Sequence, residues 1–223
     1  MPNWHLNHLL EIRKQLVMLL FSFIVGSVLS VIICPYLIFN PTDINYLRLD
    51  EGQHFFGWAF FRQDTWHWPL TVTNRLMYPV GTSIVFTDSY PFLALLLKLL
   101  SPLLPATFVF HGVVLIINLS LMYYASNLLL RIITQDPLFS IIGSFFFVFA
   151  TPFIFRFSAS HAALASHWII ILGFIPFFVA KEQQLAGLRF IWGLVLLSIG
   201  IHLYLTSMLV ILLFAYTDRK SVV

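Results

Sequence analysis

A chain of 223 residues could make one or two soluble domains, but 60% of it is hydrophobic and only 9% charged, against about 25% charged in an average soluble domain. With 12 basic and 9 acidic residues and a mean hydropathy of +0.91, most of its surface must face lipid. The single cysteine, Cys34, excludes a disulfide scaffold, and a net charge of +3 scattered along the chain excludes a nucleic-acid binder.

The first apolar run, Leu16 to Phe39, has 24 residues without a charge and follows Arg13 and Lys14. It is too long for a signal-peptide core, and no small-residue cleavage site follows. About 20 apolar residues cross the hydrocarbon layer, so 16–39 is predicted as the first span after a cytoplasmic end at 1–15. Residues 40–104 form the long polar stretch. Between Asp43 and Lys98 lie nine of the 21 charges and five of the nine acids. Its last part, Pro91 to Leu104, is apolar but interrupted by Lys98 and Pro102, which predicts a short helix at the interface.

Three further spans are predicted over Ala106–Leu130, Leu138–Phe155 and Ala162–Ala180. The 27 residues from Phe190 to Tyr216 are longer than one span needs. One tilted helix or two short ones meeting around Gly200-Ile201-His202 would fit. The hairpin is preferred, because Gly200 and His202 suit the lipid-exposed middle of a helix poorly. The fold class expected is all-α, a polytopic bundle of about five to six spans over 106–216 and the first run. Positive-inside counting places Arg13, Lys14, Arg131, Lys181, Arg189, Arg219 and Lys220 in the cytoplasm. The 40–104 loop and Arg156 then lie outside.

The outer loop is long enough to be functional. At helical spacing Asp50, His54, Trp58 and Arg62 share one stripe, with Gln53, Gly57 and Phe61 beside it and Phe55, Phe56, Ala59 and Phe60 as an apolar flank. That predicts an amphipathic helix whose polar stripe faces a cavity. Asp88 precedes the helix starting near Pro91. It either caps that helix or points into the same cavity as Asp50.

The order of these motifs carries a resemblance. A span is followed by Asp50-Glu51, then Gln53-His54, Gly57-Trp58 and Phe60-Phe61-Arg62, then Trp66-x-x-Pro69, Pro79-x-Gly81-x-Ser83-Ile84 and Asp88-Ser89-x-Pro91. With Arg156, His161, His167 and Ile201-His202-x-Tyr204-Leu205, it resembles an uncharacterised family of bacterial polytopic membrane proteins related to the GT-C glycosyltransferases. Where that family's pattern has a proline after the histidine, this chain has Leu203. The resemblance implies a membrane transferase that takes a sugar from a polyprenyl-phosphate donor on the extracytoplasmic face, using an outer-loop Asp as base. It also implies longer full-length members, of which this chain would be the N-terminal half.

The chemistry asks for one carboxylate near the acceptor hydroxyl and cations or donors on the leaving phosphate. Asp50 is the first candidate base, Glu51 the second, and Asp88 a third acid of the site. Adjacent residues on a helix point about 100° apart, so only one of Asp50 and Glu51 should face the cavity. Gln53, His54, Arg62, Arg156, His161, His167, His202 and Tyr204 are the candidate substrate-binding residues. His161 and His167, six apart, lack the i,i+4 spacing of a helical metal pair. A divalent cation could be held by Asp50, Asp88 and a histidine, though no spacing demands it. The partners expected are a lipid-linked sugar and membrane lipids. A transporter or flippase using the same polar residues, or a non-catalytic assembly subunit of an envelope glycan pathway, are the rival readings.

Overall fold

The computed structural model describes residues 4–47, 49–158, 161–179 and 183–218, excepting the side chains of 4–10, 49–50 and 158. The cytoplasmic charges assigned to Lys181, Arg219 and Lys220 lie outside the described residues. The architecture is almost wholly helical, as expected. Helix α1 runs over Trp4–Ile33, so the first span ends six residues earlier than the apolar run does. The cause is Pro35, which forces Cys34 out of helical geometry to φ −138° and ψ 65°. The chain resumes as α2, Pro35–Phe39.

The outer segment contains α3, Leu49–Gln63, where the amphipathic helix was predicted. Two-residue strands β1 (Val72–Thr73) and β2 (Thr82–Ser83) pair antiparallel, and a 3-10 turn covers Ile84–Thr87. Helix α4, Pro91–Leu99, starts at the predicted proline and is followed by a 3-10 turn at Ser101–Leu103.

Helix α5, His111–Thr134, is the central post. It is long and apolar enough to cross a membrane and 61% buried, whereas the Glu11–Ile33 stretch of α1 is only 22% buried. α1 and α5 run antiparallel: Tyr124 Oη donates to Gln15 Oε1 at 3.1 Å, and Gly26 lies against Ser120 further along. A Cβ on Gly26 would sit 2.5 Å from the Ser120 amide nitrogen, so glycine is what permits the approach. Buried serines are compatible with such packing because they satisfy themselves. Ser22 and Ser30 donate to carbonyls four residues back, at 2.8 and 2.7 Å. Gly26→Leu is expected to lower stability by about 1–3 kcal/mol, and a thermal melt in detergent checks it; an unchanged midpoint would show that α1 can move away freely.

The third and fourth spans depart from expectation, whereas the fifth follows the preferred one. The third is broken into α6 (Pro137–Val148) and α7 (Thr151–Ser158), bent by 43° between them. The fourth starts at Trp168 rather than Ala162: α8 covers Trp168–Phe174 and passes into a 3-10 turn at Ile175–Phe178. The polar network described below holds residues 161–167 in turns instead. The fifth is a hairpin of α9 (Gln184–Ile199) and α10 (Leu203–Asp218). Ser198 Oγ donates to Thr206 Oγ1 at 2.9 Å, and at the far end Tyr216 Oη reaches the Gln184 carbonyl at 3.4 Å. Sixteen residues make about 24 Å of helix, less than the roughly 30 Å of a hydrocarbon core. The described chain therefore has two helices of full spanning length, a bent pair that would make a third span, and three shorter apolar segments.

Candidate functional site

The site is organised around Asp88. The 3-10 turn at Ile84–Thr87 ends on this residue, with φ 50° and ψ 25°, and Tyr90 is also left-handed, at φ 53°. Aspartate tolerates that region and tyrosine does so rarely, so surrounding contacts must hold the turn. Ser89 is buried and its hydroxyl donates to the His54 carbonyl at 2.8 Å. Gly57, one turn further along α3, leaves room for the Thr87 and Ser89 hydroxyls that a Cβ would strike. The capping reading of Asp88 fails: Tyr90 occupies the cap of α4 without a side-chain hydrogen bond. Asp88 turns its carboxylate to three histidines instead.

His202, in the break between α9 and α10, places Nε2 at 3.1 Å from Asp88 Oδ1. Its Nδ1 accepts the Tyr204 backbone N–H at 3.1 Å. With Nδ1 an acceptor, the neutral ring carries its proton on Nε2 and donates it to the carboxylate. The break is seated there by a second bond, from the Phe92 amide to the Gly200 carbonyl at 2.8 Å. The Phe92 ring covers Gly200 where a side chain would otherwise stand. His54, 2% exposed on α3, brings Nε2 to 4.0 Å from Asp88 Oδ2. The hydrogen bond from His202 holds the Asp88 carboxyl below its ordinary range, against burial; the charges of His202, His54 and His161 act the same way as the bond.

His54, Asp88 and His161 each offer a ligand atom, and those atoms lie within 4.8 Å of one another. Ligands around a four-coordinate ion at about 2.1 Å stand roughly 3.4 Å apart, so these three fit a divalent cation after about an ångström of contraction. Two imidazoles and a carboxylate suit a first-row transition ion better than magnesium, which prefers oxygen. Bound there, an ion would act as a Lewis acid on a ligand oxygen. His111, at the start of α5, stacks on His54 with ring centroids 6.0 Å apart, and neither of its buried ring nitrogens has a partner among the described residues.

A buried network positions both halves of the site. Asn118, fully buried on α5, donates to the Ala162 carbonyl at 3.0 Å. Its Oδ1 accepts from Ser166 Oγ at 2.8 Å and Trp168 Nε1 at 3.0 Å, and Ser166 in turn meets Tyr90 Oη at 2.9 Å. The network ties the residue after His161 and the second residue after Asp88 to one asparagine.

The other predicted site residues divide. The Asp50 side chain lies outside the described residues. Glu51 lines a separate slot of about 410 Å³ with Tyr36, Tyr46, Leu115 and Phe157. The buried Tyr46 hydroxyl there has no partner among the described residues, and burial, then the Glu51 charge, pushes its pKa up. Gln53 donates to the Phe86 carbonyl at 3.5 Å. Arg62 does a different job from the one predicted. Its five N–H groups go to the Ser101 hydroxyl and to the carbonyls of Ser101, Leu104, Pro105 and Ala106, at 2.5–3.3 Å. It pins the turn after α4 and has no donor left for a phosphate. Arg156 is exposed at the end of α7. His167 stands at the start of α8, outside the three-ligand cluster, and burial, then Arg156, pushes its pKa down. The spacing argument about His161 and His167 does not apply, because no helix joins them. The Tyr204 ring stacks on His202 at 5.2 Å.

Asn118 and His111 adjoin the site but were not among the predicted site residues. A polar residue inside an otherwise apolar span is the signal that marks both. Along the outer stripe, His54 and Trp58 do face inward, with Phe56 and Phe60 exposed, but Phe55 is buried rather than lipid-facing.

Spanning helices with a polar centre gathered at one end define a polytopic helical membrane protein. The family model described as Domain of unknown function (DUF6311) matches residues 23–222, and the chain belongs to that family. Neither a curated protein nor a solved structure matches it.

Proposed function

We propose that this chain is a membrane-embedded transferase of GT-C type, taking a sugar from a polyprenyl-phosphate carrier at the extracytoplasmic face. The observation that carries the reading is the convergence of Asp88, His54, His161 and His202, from four separate segments, at one end of an apolar helical assembly. Ionisable side chains gathered within an apolar helical assembly are costly and mark function. The apolar slot at Glu51 supports a lipid substrate, since Ile33 and Tyr36 at its edge are 40% and 47% exposed.

In this reading Asp88 orients imidazoles. A carboxylate held below its ordinary range takes up a proton poorly at neutral pH. The base is then Asp50, or Glu51 from the slot, with His54, His161 and the exposed Arg156 meeting the charge that grows on the leaving phosphate. Deleting the gene should raise the pool of polyprenyl-phosphate-linked sugar, measured by mass spectrometry of extracted lipids. The wild-type chain should restore the pool, and Asp50→Asn, inserted at equal level, should not. A lipid-linked pool unmoved by deletion would remove the transferase reading, whereas restoration by Asp50→Asn would remove only that base.

A further inference from the structure

A second site lies at the opposite end of α5. There α1, α5 and α6 leave a cavity of about 510 Å³, lined by Arg13 and Lys14 from α1, Asn127 and Arg131 from α5, and the apolar side chains of Val17 and Phe21 among others. Its position follows from the sequence: Arg13 stands in the first turn of the Glu11–Ile33 spanning stretch and Arg131 in the last turn of His111–Thr134. Both guanidiniums therefore sit at one boundary of the hydrocarbon layer, on antiparallel helices.

Three observations say what the cavity would hold. Lys14 already has a partner, Glu11, at 2.6 Å. No acid pairs with Arg13 or Arg131 among the described residues, so two fixed positive charges face the space without a counter-charge. Asn127 is 1% exposed, yet its Oδ1 has no hydrogen-bond donor among the described residues. Such an acceptor is expensive to bury unless something donates to it. The wall is apolar and runs out to lipid, with Val17 59% and Phe21 45% exposed.

We propose that this cavity binds an anionic glycerophospholipid of the phosphatidylglycerol type. Its phosphodiester lies between Arg13 and Arg131, whose planar forks suit phosphate oxygens. A headgroup hydroxyl donates to Asn127 Oδ1, and an acyl chain follows Val17 and Phe21. Basic pockets between helices at the membrane boundary are suited to such headgroups. The site is separate from the Asp88 centre and stands whether or not the transferase reading does.

The full chain, purified in detergent and titrated with phosphatidylglycerol or phosphatidylcholine under native mass spectrometry, tests it. One phosphatidylglycerol should bind at least about tenfold more tightly than phosphatidylcholine, and Arg13→Gln with Arg131→Gln should weaken it on the order of 30-fold, each surface cation contributing a factor of about five. Asn127→Leu should weaken phosphatidylglycerol but not phosphatidylmethanol, an anionic phosphodiester without a headgroup hydroxyl. Equal affinity for the two lipids, phosphatidylglycerol binding untouched by the double substitution, or displacement by millimolar inorganic phosphate would each overturn the proposal. If the double variant does not fold, Ile141→Cys in a Cys34→Ser background decides: phosphatidylglycerol should slow its maleimide labelling, and labelling at an unchanged rate overturns the site.

Discussion

On the proposed transferase reading, Asp88→Asn is expected to reduce sugar transfer by about 10–10²-fold while leaving the protein folded and inserted. Asparagine is nearly isosteric and is at home in the left-handed backbone that Asp88 adopts, at φ 50°. The turn between the 3-10 segment and α4 should survive, and what is lost is the negative charge facing His202 and His54. His202→Ala removes the Nε2–H donor from the other side. If the pair acts as a unit, the double variant should be no worse than the worse single one. Additive losses would mean that the two residues act separately, and near-normal transfer by Asp88→Asn would take this carboxylate out of the chemistry. The same contact sets a pH dependence. The folded-state pKa of Asp88 is lowered, so its contribution to stability is fully present above the unfolded carboxylate value of about 3.9 and fades as pH falls through the lower folded value. Acid titration followed by a fold-sensitive signal should show Asp88→Asn losing less stability in that window than wild type.

Asn118→Leu is expected to cost stability most. Leucine fills similar volume but leaves Trp168 Nε1 and the Ala162 carbonyl without partners and takes one from Ser166. Unsatisfied buried groups cost about 1–3 kcal/mol each, while interhelical bonds within membranes average nearer 0.6 kcal/mol. A total of about 2–4 kcal/mol follows, or a fall in thermal midpoint of at least roughly 4 °C. Because the network reaches both Tyr90 and Ala162, the variant should also loosen the Asp88 and His161 turns and lower transfer. A midpoint within a degree of wild type would show that the network is not what holds residues 161–168 in place.

Parts of this were legible in the sequence. The apolar runs locate α1 and α5, the stripe through His54 and Trp58 predicts α3, and Pro91 marks the start of α4. The hairpin at Gly200 and His202 was readable because neither residue suits the lipid-exposed middle of one helix. The turn at 161–167 was not, since it is apolar enough to pass for helix, and only hydrogen bonds from the distant Asn118 make the extended turns cheaper. Arg62 misled for a related reason: a guanidinium five residues past Gly57 looks the same whether it awaits a phosphate or grips the carbonyls of a turn forty residues away.

Composition and hydrophobic run length alone determine that this chain lives in a membrane and where its long helices lie, because burial in lipid is paid residue by residue along the chain. Which polar groups meet depends on contacts far apart in sequence. Asp88 and His202 are more than a hundred residues apart, and they pair only because Phe92 docks on Gly200 and Ser89 on the His54 carbonyl. Hydrogen bonds act over about 3 Å in space whatever the separation along the chain, so the site was decided by tertiary structure.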